Sequence, residues 1–147
     1  MRVRRLDPRD AELAAAAIRT LKSPVPGAPG ADALGRFLAR PENVLIVAEA
    51  EEGPAGYLVA YALDRVDRRQ TMVCLYEVGV SEAHRRRGIG RAMVEELRRL
   101  CREAGVMKVW VIASRSNQAA MRLYAGTGGR EGGDDAVVFV WQPPKAP

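Results

Sequence analysis

The chain has 147 residues, of which 48% are hydrophobic and 28% charged, proportions that suit one domain with a real core, spanning residues 1–147, and exclude a disordered chain. Aromatic residues supply 5%, too few for a platform that stacks single-stranded nucleic acid. The net charge of +5 is concentrated between Ser81 and Arg102, where seven arginines (85, 86, 87, 91, 98, 99, 102) face three glutamates (82, 95, 96), a field that points to a phosphorylated partner more than to a general polyanion.

A short strand at residues 2–6 precedes a helix over 10–21, in which Leu13, Ala17, Ile18 and Leu21 recur at helical spacing. Residues 23–30 hold three prolines and two glycines and form a loop, after which Asp32 is expected to cap a short helix through Leu34, Phe37 and Leu38. The apolar runs 43–50 and 55–63 read as a hairpin closed by Glu51-Glu52-Gly53-Pro54, and 72–80 adds a third strand, completing an antiparallel meander. Residues 88–104 place Ile89, Met93, Leu97, Leu100 and Ala104 on one stripe, widened by Val94 and Cys101, the clearest amphipathic helix in the chain. Gly105 is a natural stop, and 108–114 reads as a strand buried on both faces. Strand, helix, strand implies a parallel crossover. Asn117 opens another helix to about residue 125, a glycine-rich loop follows, and 136–141 is expected to form a last strand. The fold class is a mixed α/β sheet flanked by helices.

Cys74 and Cys101 show no metal-ligand spacing, and His84 is the single histidine, so no metal site is expected. Asp7, Asp10 and Glu12 interrupt any signal-peptide apolar stretch and no run reaches membrane-spanning length; the expectation is a cytoplasmic protein with reduced thiols, acting without a membrane or nucleic-acid partner.

The sharpest motif is Arg85-Arg86-Arg87-Gly88-Ile89-Gly90-Arg91, set between a strand and a helix start. Glycines there let the backbone approach a ligand, and the unpaired N–H groups of the first helical turn bind phosphate, with arginine side chains adding charge-assisted bonds. A Walker loop would need Gly-Lys-Ser/Thr, and a dinucleotide fingerprint a third Gly or Ala where Met93 stands; neither fits.

Arg85-x-x-Gly88-x-Gly90 resembles the coenzyme A pyrophosphate loop of the GNAT N-acetyltransferase superfamily, and Asn117-Gln118-Ala119-Ala120-Met121-Arg122-Leu123-Tyr124 is similar to that family's Asn-x-x-Ala-x-x-Leu/Phe-Tyr helix. The resemblance implies a GNAT fold: a mostly antiparallel sheet with one parallel, splayed strand pair, the gap holding the pantetheine of acetyl-coenzyme A as co-substrate. It further implies that Val78 and Val80 pair with the pantetheine and that a backbone N–H near Val78 or Gly79 polarises the thioester. Tyr124 would protonate or hydrogen-bond the coenzyme A sulfur. Asn117 would cap its helix, touch the pantetheine, or both. Glu77, an acidic residue between apolar neighbours in a strand, must face solvent, a cleft or a partner; in a cleft it would hold the acceptor amine and take its proton. His84 reads as exposed or capping.

Leu75-Tyr76-Glu77-Val78-Gly79-Val80 through Gly88-Ile89, with Gly128-Gly129-Arg130-Glu131, is similar to the corresponding stretches of GNAT-type aminoglycoside 3-N-acetyltransferases. There a Tyr-Asp pair stands where Tyr76-Glu77 stands here. The resemblance implies a small-molecule amine acceptor, with the aminoglycoside 3-amino group leading, and Glu77, Glu131, Asp134 and Asp135 forming an acidic acceptor side. Glu131 to Asp135 also reads as a solvated turn. Family members are often dimers that pair through C-terminal strands, with which segment 136–141 is compatible. Alternatives are a protein N-terminal or lysine amine, a polyamine or another metabolite as acceptor, and, in a different class, a non-catalytic acyl-coenzyme A-binding module.

Overall fold

The computed structural model describes residues 1–22, 27–132 and 137–141. Five strands form one sheet in the order β1-β2-β3-β4-β5: β1 (Arg2–Arg5), β2 (Asn43–Ala50), β3 (Gly53–Asp64), β4 (Thr71–Val80) and β5 (Lys108–Trp110). The first four pair antiparallel and β4 pairs with β5 in parallel. Helices α1 (Ala11–Leu21) and α2 (Ala31–Leu38) cover one face, while α3 (Ile89–Glu103) and α4 (Gln118–Gly126) lie on the other. This is the mixed α/β fold that the chain order led us to expect.

The alternation of β2 explains why both faces need cover. Val44, Ile46 and Ala48 enter the core beneath α3, whereas Leu45 and Val47 enter the core beneath α1 and α2. On α3 the buried set Ile89, Met93, Val94, Leu97 and Cys101 follows the predicted stripe. On α1 the fully buried residues are Ala14, Ala15 and Ala17; these small side chains let the helix lie close to the sheet, with Leu13, Ile18 and Leu21 wedged at its margins.

Local chemistry sets the boundaries. Gly105 adopts φ +65°, and the bonds Val106 N–H to Cys101 carbonyl (2.9 Å) and Gly105 N–H to Arg102 carbonyl (3.2 Å) close α3 as a Schellman motif. The hairpin turn is tighter than expected: Ala50 already pairs with Gly53, so Glu51 and Glu52 alone make the bend. Asp32 is not a cap, because α2 begins at Ala31 with Gly30 in the capping position; its carboxylate sits in the first turn, facing the positive end of the helix dipole.

Arg4 of β1 donates two hydrogen bonds of 2.7 Å to the carboxylate of Asp10 at the start of α1. That contact, more than any other, holds the Asp10 carboxyl below the usual carboxylate range. Stability from this pair is therefore fully present above the ordinary carboxylate value and is lost as pH falls through the lowered native one. Asp10→Asn is expected to destabilise the fold by about 1.5–3 kcal/mol at neutral pH, and urea titrations repeated in acid should show the difference from the parent protein shrinking.

Two strand expectations need correction. The ladder of β5 stops at Trp110, Lys108 and Val109 are exposed and Ile112 is 68% exposed; Val111 packs on the α3 core, so the segment is not buried on both faces. Residues 137–141 of the expected last strand have no ladder partner among the described residues and are exposed, from 66% at Val138 to 82% at Trp141, while residue 136 lies outside the described residues.

Candidate active site

The parallel pair is joined only at Met72↔Lys108, Val73↔Val109 and Cys74↔Trp110. Beyond Cys74, β4 continues to Val80 against β3 alone, and the sheet opens between β4 and the chain that follows β5. A β-bulge lies at that level: Leu75 opposes Ala60 and Glu77 opposes Val59, so Tyr76 is the extra residue on β4. Val73 and Leu75 face the α3 core before the bulge, as Val78 and Val80 do after it. Tyr76 and Glu77 are consequently neighbours on the α1/α2 face.

Both line a cavity of about 610 Å³ bounded by Ile18, Leu34, Phe37, Leu45, Val59 and Tyr61, with Arg19 and Lys22 contributed by α1 and its end. Tyr76 packs edge-on to Tyr61, and Tyr61 edge-on to Phe37, at centroid distances of 5.5 and 6.1 Å. Glu77 is held from two sides. The Tyr57 hydroxyl donates to its Oε1 at 2.5 Å, and Lys22 Nζ lies 3.0 Å from its Oε2. Burial, aided by the bond to Glu77, pushes the Tyr57 phenol well above its ordinary value, so it remains a proton donor throughout the neutral range. Gly79 makes this arrangement possible: a Cβ there would stand within bonding-clash distance of the Tyr57 ring.

Tyr57 and Lys22 were not among the residues the sequence singled out. The available signals were a tyrosine in β3 across the sheet from Gly79, and one of the three lysines of an arginine-rich chain standing directly before the breaker-rich loop.

At the other end of β4, Arg86 (φ 60°) and Gly88 (φ +78°) turn the chain into α3. The first intrahelical bond runs from Ala92 N–H to the Gly88 carbonyl, leaving the N–H groups of Ile89, Gly90 and Arg91 without an intrahelical acceptor. Ile89 is 4% exposed and anchors the turn in the core, so only its backbone is available to a ligand. Gly90 lies beneath Leu123 of α4. Arg86 and Arg87 are exposed and carry no ion pair among the described residues, whereas Arg85 meets Glu82 at 3.3 Å and Arg91 meets Glu95 at 3.5 Å. Free donors, a dipole end and unpaired guanidinium groups on an open surface fit a pyrophosphate. His84 is more engaged than expected, its ring bridging Ser81 Oγ at 2.7 Å and Glu52 Oε2 at 3.2 Å; this ties the β2–β3 turn to the loop.

On the α3 side, Asn117 Oδ1 accepts from Ala120 N–H at 3.1 Å and caps α4. Tyr124 packs against the α3 core, and burial raises its phenol above the ordinary value. With Leu75 and Val111, the first residues beyond the parallel ladder, it lines a second cavity of about 350 Å³. Arg98 donates to the Thr127 carbonyl at 2.7 Å and fixes the end of α4. Glu131 pairs with Arg115 at 2.8 Å and is not among the residues lining the Glu77 cavity. Asp134 and Asp135 lie outside the described residues. No three metal-binding side chains gather among the described residues, and no helix there is long and apolar enough to cross a membrane.

A splayed parallel pair, a phosphate-ready helix start and a cavity on each side of the opening together define a mixed α/β domain with an open, anion-ready cleft beside β4. The chain belongs to the acetyltransferase (GNAT) family, whose pattern it matches over residues 12–128. It is similar to human N-acetyltransferase 8, with 29% identity over 105 residues, 71% of this chain and 46% of that one. It is also similar to the [ribosomal protein bS18]-alanine N-acetyltransferase of Escherichia coli K12, with 32% identity over 76 residues, covering 52% of this chain and 50% of the relative. The chain thus spans about half the length of the curated relatives it matches. Among solved structures, an aminoglycoside acetyltransferase from an uncultured soil metagenomic sample, in complex with trehalose, superposes with a TM-score of 0.83 at 22% identity, covering 98% of this chain and 96% of that one. The ribosomal-protein-alanine N-acetyltransferase of Brucella melitensis biovar Abortus 2308 superposes with a TM-score of 0.73 at 18% identity, covering 96% of this chain and 98% of that one. At such identities these likenesses establish the fold.

Proposed function

We propose that the protein transfers an acetyl group from acetyl-coenzyme A to a primary amine by direct attack. The observation that carries this reading is that Glu77 and Tyr124 flank the opening beside β4 from opposite faces of the sheet, Glu77 in the α1/α2 cavity and Tyr124 beside Leu75 and Val111. An amine entering from the Glu77 side meets a thioester lying in the gap. The C–N bond forms and the C–S bond breaks; Glu77 takes the amine's proton, directly or through water, and Tyr124 donates to the departing sulfur. The N–H groups of Ile89, Gly90 and Arg91, with the Arg86 and Arg87 side chains, hold the pyrophosphate. Val78 and Val80 offer their backbones to the pantetheine, and a backbone N–H near Val78 or Gly79 polarises the thioester carbonyl.

The acceptor supported best by the cavity is a primary amine on an apolar body. Its walls are mainly apolar, and Glu77 is its one carboxylate among the described residues, already paired with Lys22 and sharing the lining with a second cation, Arg19; a polycation would meet repulsion there. The second reading, an aminoglycoside 3-amino group, is supported by the presence of Tyr76 and Glu77 together on the cavity wall.

Thiol release from acetyl-coenzyme A, measured over a panel of apolar monoamines, peptides with free N-terminal or lysine amines, polyamines and aminoglycosides, separates them. Turnover confined to aminoglycosides would overturn the apolar-amine reading, and coenzyme A binding without turnover on any amine would favour the non-catalytic module. With the best acceptor, Tyr124→Phe is expected to lower kcat at least about tenfold while coenzyme A affinity by calorimetry stays unchanged. Full turnover would remove Tyr124 from the reaction.

A further inference from the structure

Lys22 ends α1, its backbone N–H bonded to the Ile18 carbonyl at 3.0 Å, and its side chain reaches over the cavity to place Nζ 3.0 Å from Glu77 Oε2. It is a primary amine, held by the carboxylate that the reading above assigns to the acceptor's amine. The pair is not a buried structural bridge: the two side chains are 43% and 33% exposed, a setting in which an ion pair adds little to stability. Both groups belong to the part of the fold where β4 has lost its parallel neighbour, since Glu77 lies beyond the last paired residue, Cys74.

We propose that Lys22 is itself an acceptor, so that the protein acetylates its own chain at this residue. The inference rests on the acetyl-transfer reading of the Glu77 cavity. The Lys22 ammonium gives up one proton to Glu77, directly or through water. The resulting amine attacks the thioester carbonyl, the C–N bond forms as the C–S bond breaks, and coenzyme A leaves as the thiol. A second nitrogen proton is lost on collapse to the neutral amide. The acetylated side chain no longer carries a charge, so its ion pair with Glu77 is lost and an external ammonium can compete for the carboxylate. Acetylation at Lys22 would thereby convert an enzyme with an occupied acceptor carboxylate into one with a free carboxylate.

The test incubates the full chain with acetyl-coenzyme A and no other amine, and follows the three lysines, Lys22, Lys108 and Lys145, by peptide mass mapping. Lys22 is expected to gain an acetyl group at least about tenfold faster than the other two, with a rate constant independent of protein concentration, and at least about tenfold more slowly in Glu77→Gln. Lys22→Arg should leave no acetylated residue at that position while the folded protein still binds coenzyme A. Equal modification of all three lysines, a rate constant rising with protein concentration, or an unmodified Lys22 would each overturn the proposal. An unmodified Lys22 together with Glu77-dependent turnover of an external amine would overturn self-acetylation alone; external turnover indifferent to Glu77→Gln would overturn the acceptor-site reading beneath it.

Discussion

Glu77→Gln is expected to lower kcat/KM for the amine acceptor by about 10²-fold or more and to leave the coenzyme A dissociation constant unchanged. The substitution keeps the shape of the side chain. Its amide oxygen can still accept from Tyr57, which donates at 2.5 Å in the parent protein, so the floor of the cavity keeps its packing. What disappears is the negative charge that attracts an ammonium and the basicity that removes its proton. The amide NH₂ would also face Lys22 Nζ, now 3.0 Å from Oε2, donor against donor, and expel it. Coenzyme A affinity is insulated because its phosphates are assigned to the start of α3, away from the α1/α2 face. Thiol-release kinetics and calorimetry on the same preparation check both halves. Unaltered kcat/KM would mean that Glu77 only shapes the cavity, and the fold assignment would survive.

Gly88→Val is expected to weaken coenzyme A binding by about one to two orders of magnitude. Gly88 has φ +78°, which a β-branched residue adopts only as an outlier, at a cost of about 1–3 kcal/mol. A Cβ at this position meets no protein atom within 4 Å, so overpacking of the core is not the mechanism. Either the turn keeps its shape under strain with valine methyl groups standing where a pyrophosphate would rest, or it relaxes and re-aims the N–H groups of Ile89, Gly90 and Arg91. Both outcomes remove donors from the anion. Calorimetry with coenzyme A, alongside a urea melt to separate loss of binding from loss of fold, makes the measurement. Wild-type affinity would withdraw the pyrophosphate assignment from this loop.

The order of elements could be read directly, since α3 carries its buried stripe at helical spacing and β2 its two-faced apolar run. Capping by Asn117 and the stop at Gly105 were also legible, because each depends on one residue and its immediate neighbours. Tyr76 and Glu77 could be nominated from the strand that holds them, but strict alternation would have put them on opposite faces. Their shared cavity depends on where β3 pairs with β4, a non-local property. Tyr57 was hidden for the same reason: a tyrosine in a strand becomes a partner of Glu77 only once the register places Gly79 across from it. The strand at 108–114 was overextended because its apolar run implied burial on both faces, whereas Lys108 and Val109 are exposed and the ladder ends at Trp110.

The extra residue in β4 acts as a phase shift in a two-step repeat. Upstream of it, odd-numbered positions feed the α3 core; downstream, even-numbered ones do. Paired with β3 without the bulge, the same ten residues would run in a single phase, odd-numbered positions facing α3 throughout. Glu77 would turn its carboxylate into the apolar layer formed by Met93 and Leu97, and Val78 would take its place in the cavity. One bulge in a strand of ten residues thus decides whether the same letters set a carboxylate on a cavity wall or leave a charge in oil.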